Sequence, residues 1–242
     1  MNSLKIISPT DRFHNQIDWL DSYHIFNFSY FYKDDRNGFG DLLVVNDDHI
    51  DTSSGFGMHP HHDMEIVTWI LNGELTHEDN KGNTGVISEG DIQQMSAGSG
   101  VLHSEFNHNE VQNVDLLQMW LLPDRKGVEP RYQQQNVADI VDNELGLVAS
   151  GQVDAPIHLY NQNASLYIGK FSAEKQISIP NNEKTYIYVA RGEITFNDVS
   201  YDKGFSLLIE NKNEDLNFTV SSNSEVILWS IGSQARISAR LP

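Results

Sequence analysis

The sequence contains no cysteine among its 242 residues. This absence excludes a disulfide framework, a thiolate metal site and a cysteine nucleophile. The chain also lacks an uninterrupted run of about 18 apolar residues, which is the length that a membrane-spanning helix requires. Its first residues contain no apolar stretch of the kind that indicates a signal peptide. These absences together predict a soluble cytoplasmic protein that is not associated with a membrane.

Basic residues are few, because 16 lysines and arginines stand against 34 aspartates and glutamates, and the formal net charge is −18. A protein that binds the phosphate backbone of a nucleic acid needs the opposite sign of charge. We therefore expect no direct contact with nucleic acid. The acidic residues are spread along the whole chain, so the charge by itself does not indicate a metal site.

Long helical patterns are missing too, and the best helical candidate is a short stretch at residues 136–141. The chain consists instead of many short runs rich in β-branched and aromatic residues, each bounded by glycine, asparagine or aspartate. Such a pattern predicts an all-β protein, either a sandwich or a barrel. The length is sufficient for one large β unit or for two small domains.

Two segments of the chain resemble each other. Residues 68–76 and residues 188–195 each consist of an apolar strand, a glycine followed by glutamate, and a second strand. This similarity predicts one β-hairpin that is used in two related domains, with the polar segment 123–142 as the connector. The second half of the chain contains a single histidine, His158. We therefore expect only the first domain to bind a metal.

Six of the ten histidines lie between residues 59 and 108. They include two pairs of potential metal ligands with a spacing of two, namely His59 with His61 and His103 with Glu105. Side chains two residues apart in a β-strand point to the same face of the sheet. Two such strands side by side would bring three imidazoles and one carboxylate together. This donor set suits a first-row transition metal such as Fe(II) and leaves coordination positions open.

The pattern leaves the identity of the fourth ligand open. Glu105 shares a strand face with His103, and Glu65 has the same parity as His59 and His61. Either carboxylate could point toward the three imidazoles. We expect one of them to bind the metal and the other to form a hydrogen bond with a ligand histidine.

Three other histidines in this region are weaker candidates for metal ligands. His62 has the opposite parity, so it is expected to face away from the metal. His77 and His108 follow predicted turns and are expected near the rim of the site. Glycine-containing segments at 54–57 and 96–100 precede the two ligand pairs. They fit neither a phosphate-binding loop nor a serine nucleophile elbow, so we interpret them as turns that position the ligand strands.

The segments GFGMHPHHDME at 55–65 and MSAGSGVLHSE at 95–105 together resemble the signature of the pirins, a family of cupin proteins. The later segments 118–123 and 130–132 fit as well. The spacing departs from the general cupin motifs, since His103 follows Gly98 two residues later than usual, and this departure is itself similar to the pirins. The closest similarity is to bacterial pirin-like proteins, some of which have quercetinase activity.

The resemblance implies a bicupin, with two jelly-roll-like β-barrels in tandem. We expect an N-terminal metal-binding domain over residues 1–130 and a C-terminal cupin-like domain without metal ligands over residues 131–242. The ligands of the pirins match His59, His61, His103 and Glu105, which favours Glu105 over Glu65. The resemblance also implies one divalent transition metal, with Fe(II) as the first choice.

Two functions are compatible with this resemblance. The first is a dioxygenase that opens a flavonol such as quercetin with O2 and releases CO, with Glu105 as the base that takes the 3-hydroxyl proton. The second is a metal-binding, redox-responsive protein that regulates another protein and does not turn over flavonols in the cell. An open pocket wide enough for a flat aromatic substrate would favour the first.

Overall fold

The computed structural model describes residues 3–210 and 215–232, and strands form nearly all of their regular structure. The all-β prediction is therefore confirmed. Within these ranges the helices are a 3-10 turn at Pro9–Asp11 and a single α-helical turn, α1, at Ala138–Val141. No helix in the described ranges is long and apolar enough to cross a membrane.

The strands have the following bounds in chain order: β1 Ser3–Ile7, β2 Phe13–Ile17, β3 Leu20–His24, β4 Leu42–Ile50, β5 Ser54–His61, β6 Glu65–Asn72, β7 Glu74–Asp79, β8 Thr84–Ser88, β9 Asp91–Ser96, β10 Val101–Asn107, β11 Val114–Leu121, β12 Arg131–Asn136, β13 Gly146–Ser150, β14 Ile157–His158, β15 Ala164–Phe171, β16 Lys175–Ser178, β17 Lys184–Arg191, β18 Glu193–Phe196, β19 Val199–Asp202, β20 Ser206–Glu210, β21 Asn217–Val220 and β22 Ser224–Ile231.

These strands form two pairs of sheets whose central strands follow the same order. The first pair combines a seven-stranded sheet, in the order β12-β9-β6-β11-β4-β3-β2, with a four-stranded sheet, β5-β10-β7-β8. The second pair combines β1-β20-β17-β22-β15-β13-β14 with β16-β21-β18-β19. Strands β9, β6, β11 and β4 of the first pair therefore correspond to β20, β17, β22 and β15 of the second. Two tandem units of the same architecture follow, as the resemblance implied.

The repeated hairpin is present in both units, as β6–β7 and as β17–β18. A single glycine joins the strands in each case, with φ of +79° at Gly73 and +67° at Gly192. A Cβ atom at Gly73 would lie 2.4 Å from the carbonyl oxygen of Asn113, so both the backbone conformation and the space require glycine. The shared glycine in the two sequence segments therefore has a physical cause.

The two units exchange strands at their edges. Strand β1 lies at the N-terminus but pairs with β20 of the second unit. Strand β12 follows residue 130 but pairs with β9 of the first unit. We retain the division into residues 1–130 and 131–242 as a proposal for the order of the domains along the chain.

The largest apolar core lies between the two seven-stranded sheets. Trp69 from the first unit and Tyr186 and Trp229 from the second belong to one buried cluster. Polar anchors cross the same interface: the indole N–H of Trp69 donates to Glu225 Oε1 at 2.6 Å, and the hydroxyl of Tyr188 donates to Asp47 Oδ2 at 2.6 Å. One apolar core thus holds both units together.

The interiors of the two units differ. In the second unit a continuous cluster of large apolar side chains fills the space between the sheets, among them Phe171, Ile187 and Phe218. In the first unit the interior holds two separate apolar clusters, one around Ile70 and one around Ile66. Polar side chains and histidines occupy the layer between them, and that layer forms the candidate site.

We predict that Trp69→Phe lowers the free energy of unfolding by roughly 1–3 kcal/mol, because the buried Glu225 carboxylate loses a hydrogen-bond donor. Trp229→Phe is the matched control, since Trp229 is equally buried in the same core but its N–H donates to the sulfur of Met119. A thioether is a weak acceptor, so the control should lose less. Urea unfolding monitored by circular dichroism measures both variants, and equal losses would contradict the prediction.

Candidate metal centre

Two adjacent strands of the four-stranded sheet bring three histidines together. Strands β5 and β10 run antiparallel, and His59 lies directly opposite His103 in their register. His61 lies two residues after His59 on the same strand, so it points to the same side. The ring centroids are 4.4 Å apart for His59 and His103, 4.9 Å apart for His61 and His103, and 4.9 Å apart for His59 and His61. One nitrogen from each ring lies within 4.8 Å of the other two, a spacing compatible with a single metal ion.

The hydrogen bonds of these rings leave one nitrogen of each of two imidazoles available. The carbonyl oxygen of Gly57 lies 2.8 Å from Nδ1 of His59 and can only accept, so Nδ1 carries the proton and Nε2 has a free lone pair. Nε2 of His103 is buried and has no hydrogen-bond partner among the described residues. An unpartnered buried nitrogen is costly unless something binds it. The donor set therefore fits a divalent transition metal.

The protonation states favour metal binding as well. Burial, together with the neighbouring histidines, lowers the pKa of His103 to about 2 and that of His61 to about 4. Both rings are therefore neutral at physiological pH. Neutral imidazole is the form that binds metals, because the protonated ring has no free lone pair.

A second buried histidine orients His103. His77 Nε2 donates to Asp79 Oδ2 at 3.4 Å, so its Nδ1 is free to accept. That nitrogen lies 3.4 Å from Nδ1 of His103. His103 must then carry its proton on Nδ1, which leaves the lone pair of the buried Nε2 free in the cluster with His59 and His61. Burial raises the pKa of Asp79, but hydrogen bonds from Asn83 and from the backbone N–H of Lys81 outweigh it and lower the pKa below its ordinary value.

Glu105 lies beside the three histidines but belongs to an overlapping group. The register of β10 against β5 shifts between His103 and Glu105 because β5 has an extra residue there, whereas β10 pairs regularly with β7, so His103 and Glu105 keep the same face of β10. Oxygen and nitrogen atoms of Glu105, His77 and His103 lie within 4.8 Å of one another. Gln118 donates to Glu105 Oε2 at 2.8 Å. Burial raises the pKa of Glu105 to about 7, and the hydrogen bond from Gln118 offsets only part of that effect.

Glu65, the alternative carboxylate, points away from the histidines. It accepts the backbone N–H groups of Tyr160 and Asn161 in the second unit, at 2.8 and 2.7 Å, and the amide of Gln94 at 3.0 Å. The side-chain parity counted along the sequence fails here because the chain turns between β5 and β6, with Asp63 at φ +51°, and enters another sheet. Glu65 thus connects the two units.

The remaining histidines are placed as follows. His62 is exposed, as its parity predicts, and His108 is exposed beside Phe106. The expectation that His77 lies near the rim is wrong, because its side chain is fully buried on β7. Its role depends on the pairing of β7 with β10, which places His77 opposite Glu105. Sequence spacing does not reveal that pairing.

A pocket of about 370 Å³ opens beside the histidines. Its lining includes His59, His61 and Glu105 from the candidate centre and four aromatic side chains, Trp19, Phe28, Phe56 and Trp120. The ring of Trp120 meets that of His61 edge-on, with centroids 4.8 Å apart. A pocket of this size with aromatic walls is typical of sites for small organic ligands.

Asp48 is a second buried acid in the pocket wall. Burial raises its pKa to about 7, a hydrogen bond from Ser22 offsets part of that effect, and the charges of Asp47 and Glu105 add to the increase. The folded protein therefore holds a proton here over a pH range in which an unfolded chain has lost it.

Comparison with known proteins identifies similar proteins whose matches cover both units. The Pirin family model matches residues 7–121, and a model described as the quercetinase C-terminal cupin domain matches residues 147–230. A Mycobacterium tuberculosis protein named "Putative quercetin 2,3-dioxygenase" is 38% identical over 230 residues, which cover 94% of each chain. The quercetin 2,3-dioxygenase of Escherichia coli K12 is 34% identical over 223 residues, which cover 91% of this chain and 95% of that protein.

Solved structures agree with the sequence relatives. The crystal structure of YhhW from Escherichia coli has a TM-score of 0.88 and 32% identity, and the match covers 96% of this chain and 100% of that one. A structure of bacterial pirin YhhW in complex with nickel(II) has a TM-score of 0.86 and 33% identity with the same coverage. The two tandem cupin units expected from the sequence are thereby confirmed.

We predict that His103→Ala lowers bound metal by more than about tenfold, because the variant loses one of the three clustered imidazoles and its unpartnered nitrogen. His62→Ala is the control, since His62 is exposed and faces away. Metal content after reconstitution and gel filtration is measured by mass spectrometry. Metal retained at the wild-type level in His103→Ala would show that the ion binds elsewhere.

We predict that Asp48→Asn raises stability at pH 8 by roughly 1–4 kcal/mol and has little effect near pH 4. The folded-state pKa of about 7 lies above the ordinary value of 3.8, so ionisation of Asp48 costs stability as pH rises between those values. Asparagine removes that cost and can still accept from Ser22. Urea unfolding at several pH values measures the difference, and a gain that is independent of pH would contradict this cause.

Proposed function

The chain belongs to the pirin family, and we propose that it is a metal-dependent dioxygenase acting on flavonols such as quercetin. The reaction takes up O2, opens the central ring of the flavonol and releases CO. The observation that carries the proposal is the buried, unpartnered Nε2 of His103, a member of the cluster with His59 and His61, beside an aromatic pocket. The names of the relatives supply the substrate class.

We propose that His59, His61, His103 and Glu105 hold one divalent transition ion, and that Fe(II) is the native one. Three neutral imidazoles and one carboxylate are ligands that suit Fe(II). They also suit nickel, the ion in the solved YhhW complex. A bound ion of this kind would activate the oxygen atoms of the flavonol as a Lewis acid and favour its reaction with O2. The hydrogen bonds from Gly57 and His77 fix the ring orientations that present the lone pairs.

We assign the role of general base to Glu105. Gln118 holds its Oε2 atom, which leaves Oε1 to accept the proton of the flavonol 3-hydroxyl. A buried carboxyl with a raised pKa is a better base than an exposed one and still ionises near neutral pH. The proton transfer leaves the flavonol electron-rich, as attack by O2 requires.

The pocket supports a flat substrate. Trp120 packs edge-on against His61 on one side and against Phe28 on the other, with centroids 5.3 Å apart in the latter pair. Trp19 and Phe56 form another edge-on pair at 5.1 Å. These side chains offer apolar surfaces to an aromatic ring and exclude water from its reacting atoms.

The alternative is a metal-binding regulatory protein that responds to redox state and binds a protein partner. Such a protein needs a metal site and a partner surface, but it has no need for an aromatic cavity next to the ion. The pocket is therefore the observation that favours the dioxygenase. A flavonol-like small molecule is accordingly the partner that we propose.

The test is anaerobic reconstitution with Fe(II), followed by addition of quercetin and then O2, with flavonol absorbance and CO release as readouts. Parallel reconstitution with Ni(II) compares the two ions. We expect metal-dependent loss of the flavonol with stoichiometric CO, and none in His103→Ala. Tight metal binding and flavonol binding without CO would contradict the dioxygenase and support the regulatory alternative.

We predict that Glu105→Gln lowers turnover at least about a hundredfold while part of the metal is retained, because the amide cannot accept the hydroxyl proton. Three imidazoles remain to hold the ion in this variant. Glu78→Gln is the control, since Glu78 is an exposed carboxylate of the same sheet. Turnover is compared per bound ion, and wild-type turnover in Glu105→Gln would remove Glu105 from the role of base.

A further inference from the structure

A row of polar side chains crosses the interior of the first unit. The paired positions run from β9 through β6, β11 and β4 to β3, and each residue lies opposite the next in the strand register: Gln93, Thr68, Gln118, Asn46 and His24. We call this set the polar row. All five side chains are at least nine-tenths buried, and they point to the inner face of the sheet, between its two apolar clusters.

The polar row is costly to the fold unless something binds it. Only Gln118 is hydrogen-bonded at both ends, since it donates to Glu105 and accepts from Trp120. The other four residues each have a buried polar atom without a hydrogen-bond partner among the described residues: His24 Nδ1, Asn46 Oδ1, Thr68 Oγ1 and Gln93 Oε1. A buried polar group that lacks its hydrogen bond costs about 1–3 kcal/mol.

Only part of the row reaches the pocket. His24, Asn46 and Gln118 line it, together with Ser22 and Asp48 from the same two strands as His24 and Asn46. Thr68 and Gln93 are not part of the lining. The pocket therefore has two chemically different walls: histidines on the four-stranded sheet and hydrogen-bonding groups on the seven-stranded sheet.

The chemistry of this second wall specifies its ligand. The unpartnered oxygen of Asn46 accepts a hydrogen bond, so the ligand must donate one there. The carboxyl of Asp48 accepts when ionised and donates when protonated, and a hydroxyl group can pair with either form. Aromatic rings frame the same place, since Phe28 lies edge-on to His24 with centroids 5.0 Å apart. A flat ring that carries hydroxyl groups satisfies both requirements.

We propose that the His24–Asn46–Asp48 wall is a subsite that binds the hydroxyl groups of a phenolic ring of the substrate, with Asn46 accepting from one of them. The inference rests on the proposed function for the flavonol skeleton. The wall thereby selects hydroxylated ligands over ligands of the same shape without hydroxyls. A site built to pair with a hydroxyl discriminates strongly, because a ligand without one leaves the buried groups unpaired.

The test is equilibrium binding without O2, so that no turnover occurs. The probes are quercetin and the flavonol with the same skeleton that lacks both hydroxyls on the pendant ring. Binding to the full-length protein is measured by quenching of tryptophan fluorescence and by calorimetry. We expect the wild-type protein to bind quercetin about tenfold more tightly than the analogue. In Asn46→Leu this ratio should fall to about one, through weaker binding of quercetin.

The matched control is Thr68→Val. Thr68 belongs to the same row, is equally buried and also has an unpartnered oxygen, but it does not line the pocket. Its variant should keep the wild-type ratio. Asn46→Leu should also have a melting temperature equal to or higher than that of the wild type, because it removes an unpaired buried group. If Asn46 had a purely structural role, the substitution would lower the melting temperature. His24→Phe, measured in the same way, provides a second variant of the wall.

Equal affinity of the wild type for the two flavonols would overturn the inference, as would an unchanged ratio in both Asn46→Leu and His24→Phe. These outcomes are independent of catalysis. Selective binding with no CO release in the reconstitution experiment would contradict the dioxygenase and leave the subsite supported. CO release without selective binding would support the dioxygenase and contradict the subsite.

Discussion

The register of the first seven-stranded sheet is the constraint on which the rest of the structure depends. Each central strand of this sheet faces two environments. On β4, Val45 and Asp47 point to the core shared with the second unit, whereas Asn46 and Asp48 point into the pocket. Because side chains alternate along a strand, a slip by one residue would exchange the two faces. The core between the units and the site are therefore specified by the same hydrogen-bond ladder.

The sequence predicted those parts of the site that depend on one strand or on one pair of strands. The spacing of two in His59 and His61 placed both on one face, and the antiparallel pairing of β5 with β10 placed His103 opposite His59. The parity of Glu65 misled because a turn lies between it and His61, and strand alternation does not continue across a turn into another sheet. The polar row could not be predicted from the sequence for a related reason, since its five members are neighbours only across strands.

The position of His77 is a second feature that the sequence pattern does not predict. Its immediate sequence, a turn followed by acidic residues, is that of a surface hairpin, yet the ring is fully buried against His103 and Tyr132. Its burial follows from the packing of β7 between β8 and β10 in the four-stranded sheet. An ionised Asp79, a neutral His77 and a neutral His103 form a chain of hydrogen bonds in which each group determines the proton position of the next. Such a chain of hydrogen bonds determines which nitrogen of a ring has a free lone pair. The sequence pattern identifies candidate ligand residues but does not identify that atom.

The exchange of edge strands also bears on how such a protein can change over evolutionary time. With β1 completing the sheet of the second unit and β12 completing that of the first, neither half of the chain has a finished sheet by itself. A half separated from the other would present an unpaired strand edge and an uncovered apolar face, both of which promote aggregation. Gene fragments that encode one half are therefore poor starting material for recombination. The second unit, whose described interior is packed with large apolar side chains, supplies the structural complement of the first.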